Sequence, residues 1–234
     1  KEFVKKAKDY GIQVAANYMK SYALSPEKFA EKVKVSESFG ADIIYVVDSA
    51  GGMFPEQVSK YFKEIKKKSE IQMGFHGHDN LGLSIANSIE AIESGADIID
   101  SSLQGLGRSA GNACTEILAM VLTKKNIETG IDFDEILETG RKYVQPLISS
   151  SGKSQLDITA GFADFHSSYM HHIMKYSSKY NVDPIHLIIE YSKIDKVEMK
   201  IEELEKIARK LKQEENVYMT KYRFNKYVGR EQDK

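Results

Sequence analysis

The sequence predicts an α/β chain with parallel strands, about four strand-helix units long, running into a helical region. Three observations predict it. Short apolar runs recur about every 25–30 residues, the length of one βα unit. Segments with helical periodicity separate them. The string GADII stands at 40–44 and again at 95–99, and each copy closes a helix and enters a strand. A strand followed by a crossover helix leads to a parallel neighbour.

The strands are expected in IQVAANYM (12–19), DIIYVVDS (42–49), IQMGFHGH (71–78) and DIIDSSL (97–103). In the first, Ile12, Val14, Ala16 and Tyr18 alternate onto one face. The second is almost wholly apolar, as suits a strand covered on both sides.

Between them, Ser25-Pro26-Glu27 is a helix start: a side-chain cap, a proline in the first turn and an acid at the positive dipole end. Phe29, Val33 and Phe39 form its buried stripe, and Gly40 stops it. Pro55 opens a second helix with Val58, Tyr61, Phe62 and Ile65 inward. A third runs from about Leu83 to Glu93 with Ile85, Ile89 and Ile92 inward and Gly95 at its end.

After residue 104 the pattern changes. GLGRSAGNA (105–113) is a glycine-rich loop, and helices are expected at Cys114–Lys124, at Phe133–Tyr143 and over most of the chain from Ser167. Asp183-Pro184 is a cap and first position, and the last residues, YRFNKYVGREQDK, are expected to fray. Four strand units are about half of an eight-stranded barrel, so the sheet is either small and open or half a barrel.

Composition narrows the function classes. The formal net charge of −1 predicts no generic attraction to nucleic acid or to an anionic membrane. No run approaches the roughly 18 apolar residues of a membrane span. The N-terminus, KEFVKKAKDYG, has no secretory character. A single cysteine, Cys114, excludes an internal disulfide framework and fits a reducing compartment. A first residue of Lys rather than Met points to truncation or processing.

The chemistry concentrates at strand ends. His76 and His78, two apart in GFHGHDN, project to one face at the C-terminal end of their strand. That end carries the active site in α/β folds. Two imidazoles there are either half of a divalent-metal site, completed by oxygen ligands, or caps of a strand end. Asp79 and Asn80 are read first as caps of the next helix. Ser49 follows Asp48 at the same rim and is either a donor to a carboxylate or part of an ordinary turn. The Gly105/Gly107/Gly111 loop could cradle an anion, and Asn112 within it is a ligand or a loop amide.

ESFGADIIYVVDSAGGM, GFHGHDNLGLSIANSIEAIESGADIIDSSLQGLGRSAGNA and SSYMHHIMKYSSKYNVDPIHLIIEY together resemble the 4-hydroxy-2-oxovalerate aldolases. These belong to the pyruvate-aldolase and acyl-CoA-lyase superfamily of metal-dependent TIM barrels. The resemblance runs from about residue 1 to about residue 212. It implies the C-terminal half of a TIM barrel, strands five to eight, at 1–145. A small helical domain and tail would follow at 146–234.

The resemblance also implies a site: His76 and His78 as metal ligands on barrel strand seven, Ser49 on the pyruvyl carboxylate, and Asn112 as a further ligand. The metal would be Mn²⁺, with Mg²⁺ or Co²⁺ as alternatives. His76 and His166 are further assigned to the substrate. His166 stands where the aldolases place a tyrosine before a Ser-Ser pair; the alternative is a surface helix histidine. The family's first-strand Arg-Asp pair and nearby basic His have no counterpart here, so strands one to four, about 120 residues, are expected to be missing.

The implied reaction is cleavage of a 4-hydroxy-2-oxoacid to pyruvate and an aldehyde, in a cytoplasmic protein of aromatic hydrocarbon breakdown, with little or no activity in these residues alone. A homodimer and an acetaldehyde dehydrogenase partner on the helical domain are open. So is a plainer role for that domain, a cover for the barrel end. Two rivals are an acyl-CoA synthase or lyase of the same superfamily and a non-catalytic module derived from an aldolase. The lyase's loop cysteine and the synthases' Glu-Arg are both absent here; Arg108 stands alone. For the sheet, the expectation is four parallel strands with one flank bare.

Overall fold

A computed structural model describes residues 1–148 and 153–214. The tail expected to fray lies outside them. The first part alternates helix and strand: α1 (Glu2–Asp9), β1 (Ala15–Tyr18), α2 (Pro26–Ser38), β2 (Ile43–Asp48), α3 (Pro55–Lys66), β3 (Gln72–Gly77), α4 (Ser84–Glu93) and β4 (Ile98–Asp100). The four strands form one parallel sheet in the order β1-β2-β3-β4. Sequential order with a helix between each pair is the wiring of a barrel segment.

The local chemistry explains the elements. Ser25 accepts the Lys28 N–H, and Pro26 occupies the first turn of α2. The GADII repeat has a structural purpose. Asp42 donates its N–H to the Val14 carbonyl at 2.8 Å and accepts the Val14 N–H through Oδ2 at 2.7 Å. Asp97 does the same to Met73, at 2.7 and 2.8 Å. Each aspartate thus fixes the register of its own strand against the one before it. Gly40 and Gly95, both at φ +96°, turn the chain from helix into that strand.

Helices α2, α3 and α4 cover one face of the sheet. Phe29, Val33, Val58, Phe62 and Ile65 meet Ile44, Val46, Met73 and Phe75 there, all within one buried cluster. Each such side chain contributes about 1.5–3 kcal/mol of burial. The opposite face would line a barrel. Its buried apolar side chains among the described residues are Ile43, Tyr45 and Val47, with Ile98 against them, while Ala15, Asn17 and Gln72 are exposed. One flank is therefore bare, as expected.

Four details differ from expectation. Strand β1 is only Ala15–Tyr18, and Ile12 is exposed; among the described residues β1 is an edge strand, with β2 as its one neighbour. Strand β4 stops at Asp100, where the chain turns into the glycine loop. Phe39 is half-buried at the end of α2 rather than within its stripe. On α4, Ile85, Ile89 and Ile92 are half-buried, and the fully buried side chains are Ser84, Asn87, Ser88 and Ala91. Small residues win that position because α3 approaches closely; Ser59 and Ser94 hydroxyls meet at 2.8 Å.

Helix α5 (Thr115–Lys124) follows the glycine loop, and α6 (Phe133–Thr139) continues as a wider turn to Val144. Then come α7 (Gln155–Phe162), α8 (Met170–Tyr180), α9 (Pro184–Ser192) and α10 (Ile201–Glu214). These four share a second buried cluster with Leu156, Phe165, Ile173, Leu187, Tyr191 and Leu204 at its centre. Asp183 caps α9 by accepting the Ile185 N–H at 2.8 Å, with Pro184 in the first turn.

Candidate functional site

The C-terminal rim of the sheet brings the singled-out residues together. His76 ends β3 on the barrel-facing side, and His78 follows two residues on. Their rings lie edge to face, with centroids 5.3 Å apart. The glycine loop returns alongside: Ala113 donates to the Gly77 carbonyl at 3.2 Å, and Asp79 donates to that of Gly111 at 3.0 Å. This sets Asn112 opposite His78. An open cleft of about 330 Å³ is lined by His76, Ile99, Asp100, Ser101 and Asn112.

The two histidines are held in different ways. His76 Nδ1 lies 3.1 Å from Asp100 Oδ2, its register partner on β4. His78 is 6% exposed, and its Nδ1–H donates to the Gly111 carbonyl at 3.2 Å. That bond leaves the lone pair on Nε2, which accepts from Arg108 Nη2 at 3.1 Å. Burial, then the Arg108 charge, then His76 push the His78 pKa down to about 3. It is a neutral imidazole, the form that ligates metal.

His166 is 2% exposed, which corrects the surface-histidine alternative. It caps the turn before α8, its Nδ1 accepting the Ser168 N–H at 3.2 Å. Burial first, and then the Arg108 and Lys20 charges, lower its pKa to about 2. Its Nε2 is buried with no hydrogen-bond partner. Since Nδ1 accepts, Nε2 carries the proton: an unmatched donor. Arg108 links the two histidines, because its Nη1 donates to Ser167 Oγ and lies 3.5 Å from His166 Nδ1.

Ser49 is buried at the end of β2, one residue past the register pair Asp48–Gly77. Its Oγ accepts the Lys20 N–H at 2.8 Å, leaving its own proton to donate. Asp48, fully buried, accepts the N–H groups of Gly52 and Met53. Burial nonetheless raises its pKa to about 6.

Asp79 caps α4 as expected, accepting from Ser84 N and Oγ at 3.1 and 2.5 Å. Asn80 does not. It is buried and donates through Nδ2 to Ser109 Oγ at 2.9 Å and to the Asp157 carbonyl at 2.8 Å. Ser109 in turn donates to Asp157 Oδ1 at 2.7 Å. This buried network fastens the glycine loop and α7 to the end of β3.

The donors fit a divalent metal of borderline softness: two imidazole nitrogens and an amide oxygen. Asn112 Oδ1 is buried without a partner, which suits a ligand atom. Among the described residues, no group of three or more His, Cys, Asp and Glu side chains could hold a metal. The described residues thus bring together two histidines and an amide, and the acidic side chain in the cleft, Asp100, is engaged with His76 Nδ1. Cys114 is a poor nucleophile: burial and a 3.0 Å bond to Glu116 Oε2 raise its pKa.

Nothing in the local pattern around Arg108 or Asp157 marks them as part of the site. Asp100 had a signal. It follows the second GADII as Tyr45 follows the first, so the repeat puts both side chains on the barrel-facing side.

A family model described as HMGL-like matches residues 1–142. The 4-hydroxy-2-oxovalerate aldolase of Geobacillus genomosp. 3 is 42% identical over 185 residues, 79% of this chain and 55% of that protein. The chain spans about half the length of the curated relatives it matches. Among solved structures, the N-terminal domain of a candidate aldolase from Bacteroides vulgatus is 32% identical with a TM-score of 0.65, covering 75% of this chain and 59% of that one. The carboxyl transferase domain of Rhizobium etli pyruvate carboxylase, solved with pyruvate, shares the fold at a TM-score of 0.67 and 16% identity. It covers 90% of this chain and 39% of that one.

Proposed function

The chain belongs to the HMGL-like family, and from that premise we propose that it is the metal-ligand half of an aldolase that cleaves a 4-hydroxy-2-oxoacid into pyruvate and an aldehyde. The observation that carries this is that His76 and Asn112 line one cleft, with the His78 ring 5.3 Å from that of His76 and paired across from Asn112, whose Oδ1 is unmatched.

His76 Nε2, His78 Nε2 and Asn112 Oδ1 would hold the metal, Mn²⁺ by preference, with Mg²⁺ or Co²⁺ as alternatives. When bound, it supplies Lewis acidity toward the 2-keto oxygen. Asp100 keeps the proton of His76 on Nδ1 and so turns the other nitrogen outward. Ser49 donates its hydroxyl proton to the substrate carboxylate. His166 donates Nε2–H to a substrate oxygen, and its depressed pKa keeps it a neutral donor rather than an acid. In the cleavage, the 4-hydroxyl loses its proton to a base, the C3–C4 electron pair moves onto pyruvate as the enolate, and C3 takes up a proton.

The proton-accepting base, an acidic ligand and an arginine for the enolate would come from a part of the fold that the longer relatives have. The 234 residues alone are therefore expected to turn over little or no substrate. The assay is pyruvate release from 4-hydroxy-2-oxovalerate with added Mn²⁺. Turnover by the isolated chain sinks the half-site reading; activity that returns with the strands of a longer relative supports it. A cytoplasmic setting, aromatic hydrocarbon breakdown, a homodimer, and an acetaldehyde dehydrogenase docking on α8–α10 extend the proposal. The acyl-CoA lyase alternative is disfavoured by the raised pKa of Cys114.

A further inference from the structure

We propose that Arg108 is an internal competitor for the metal site: its guanidinium holds the metal-facing nitrogen of His78 and must give it up for a cation to bind. The inference rests on the proposed ligation by His78 and adds a residue to which the family resemblance assigns no role.

A neutral imidazole has one lone pair in the ring plane. In His78 the Nδ1–H is committed to the Gly111 carbonyl at 3.2 Å, so that lone pair is on Nε2. Arg108 Nη2 donates to it at 3.1 Å. The same electron pair cannot accept this proton and bind a metal. A guanidinium is also cationic at any working pH, so it repels a divalent ion at that distance.

The surroundings allow the exchange to be a side-chain movement. The backbone of Arg108 is fixed on both sides: its carbonyl accepts the Gly111 N–H at 3.0 Å, and its neighbour Ser109 is bound to Asn80 and Asp157. A second donor nitrogen, Nη1, already bonds Ser167 Oγ beside His166. On losing His78, the side chain keeps that anchor and remains at the edge of the cleft. Metal binding would thus couple the end of β3 to the turn that precedes α8.

The test compares the 234-residue chain with its Arg108→Met and Arg108→Lys variants, titrated calorimetrically with Co²⁺ and Mn²⁺. Methionine keeps the length of the stem and removes both donors and charge. Removing a charge-assisted bond from the ligand atom is expected to tighten metal binding by about ten-fold or more. Lysine, with a single compact donor, is expected to tighten it less. Histidine ring ¹⁵N shifts give a second readout: without metal, the His78 Nε2 signal should lose its hydrogen-bonded position in Arg108→Met. Equal or weaker affinity in Arg108→Met overturns the proposal while leaving ligation by His78 intact. Binding by none of the three chains overturns both. If Arg108→Met does not fold by circular dichroism, Arg108→Lys decides: no tightening overturns the proposal.

Discussion

Asp100 and His76 are register partners on neighbouring strands, and their side chains meet at 3.1 Å on the barrel-facing side of the sheet. The carboxylate therefore settles which imidazole nitrogen keeps a proton. Replacing it with the neutral amide in Asp100→Asn weakens that control. We expect roughly ten-fold weaker Co²⁺ binding with the fold intact. Calorimetric titration checks it; unchanged affinity would show that His76 needs no such partner.

Tyr45 reaches the same carboxylate, and burial together with Asp100 raises its pKa to about 12. Its ring lies directly over its register partner Gly74, where a Cβ would come within 2.5 Å of the ring. Gly74→Ala should therefore push the tyrosine off Asp100 and destabilise the fold by about 1–3 kcal/mol. Urea unfolding measures the loss. An unchanged midpoint would mean that the sheet absorbs the methyl group freely.

Acid should unfold the chain through His78 and His166. Their folded pKa values, about 3 and about 2, lie below the ordinary histidine value. The unfolded chain therefore binds more protons between those values and about pH 6.5. The histidines' contribution to stability is full above pH 6.5 and falls with acid, by up to about 1.4 kcal/mol per pH unit for each. Asp48 acts in the opposite sense, because its folded pKa of about 6 lies above the unfolded value and its protonation favours the fold. The net change is a loss, since two histidines oppose one aspartate. His166→Asn should flatten the fall between pH 6.5 and pH 4 in a denaturation series. An identical pH slope in that variant would rule out His166 as a source.

Asp157 is fully buried and accepts from Ser109 Oγ, Ser154 Oγ and Ser154 N. Asp157→Ala leaves three donors unmatched at once, at an expected cost of about 2–4 kcal/mol. The glycine loop should loosen first. Hydrogen exchange at the Gly111 and Asn112 amides is the local readout. Protection equal to that of the parent would mean the loop is held by its own backbone bonds.

Local rules made much of the sheet legible. Ser25-Pro26 and Asp183-Pro184 start helices because a cap and a fixed φ act within three residues. His76 and His78 share a face because a strand has a period of two. The pairing of α3 with α4 was not legible, since periodicity marked the isoleucine face of α4 while close approach selected its serines. Nor was Arg108. A side chain on a glycine loop takes its direction from what surrounds it, and here that includes Ser167, fifty-nine positions away. Asp157 was hidden for the same reason, with Asn80 seventy-seven positions off.

That last separation has a kinetic meaning. Each strand of the sheet pairs with the one just before it in the chain, so the sheet can grow edge by edge through short loop closures. The fastening of Asn80 and Ser109 to Asp157 waits until α7 has formed and come back. During synthesis from the N-terminus, β3 and its histidines emerge before the loop that carries Arg108, and α7 emerges later still. A newly made chain would thus hold His78 before either the carbonyl that sets its proton or the guanidinium that occupies its Nε2 has been made.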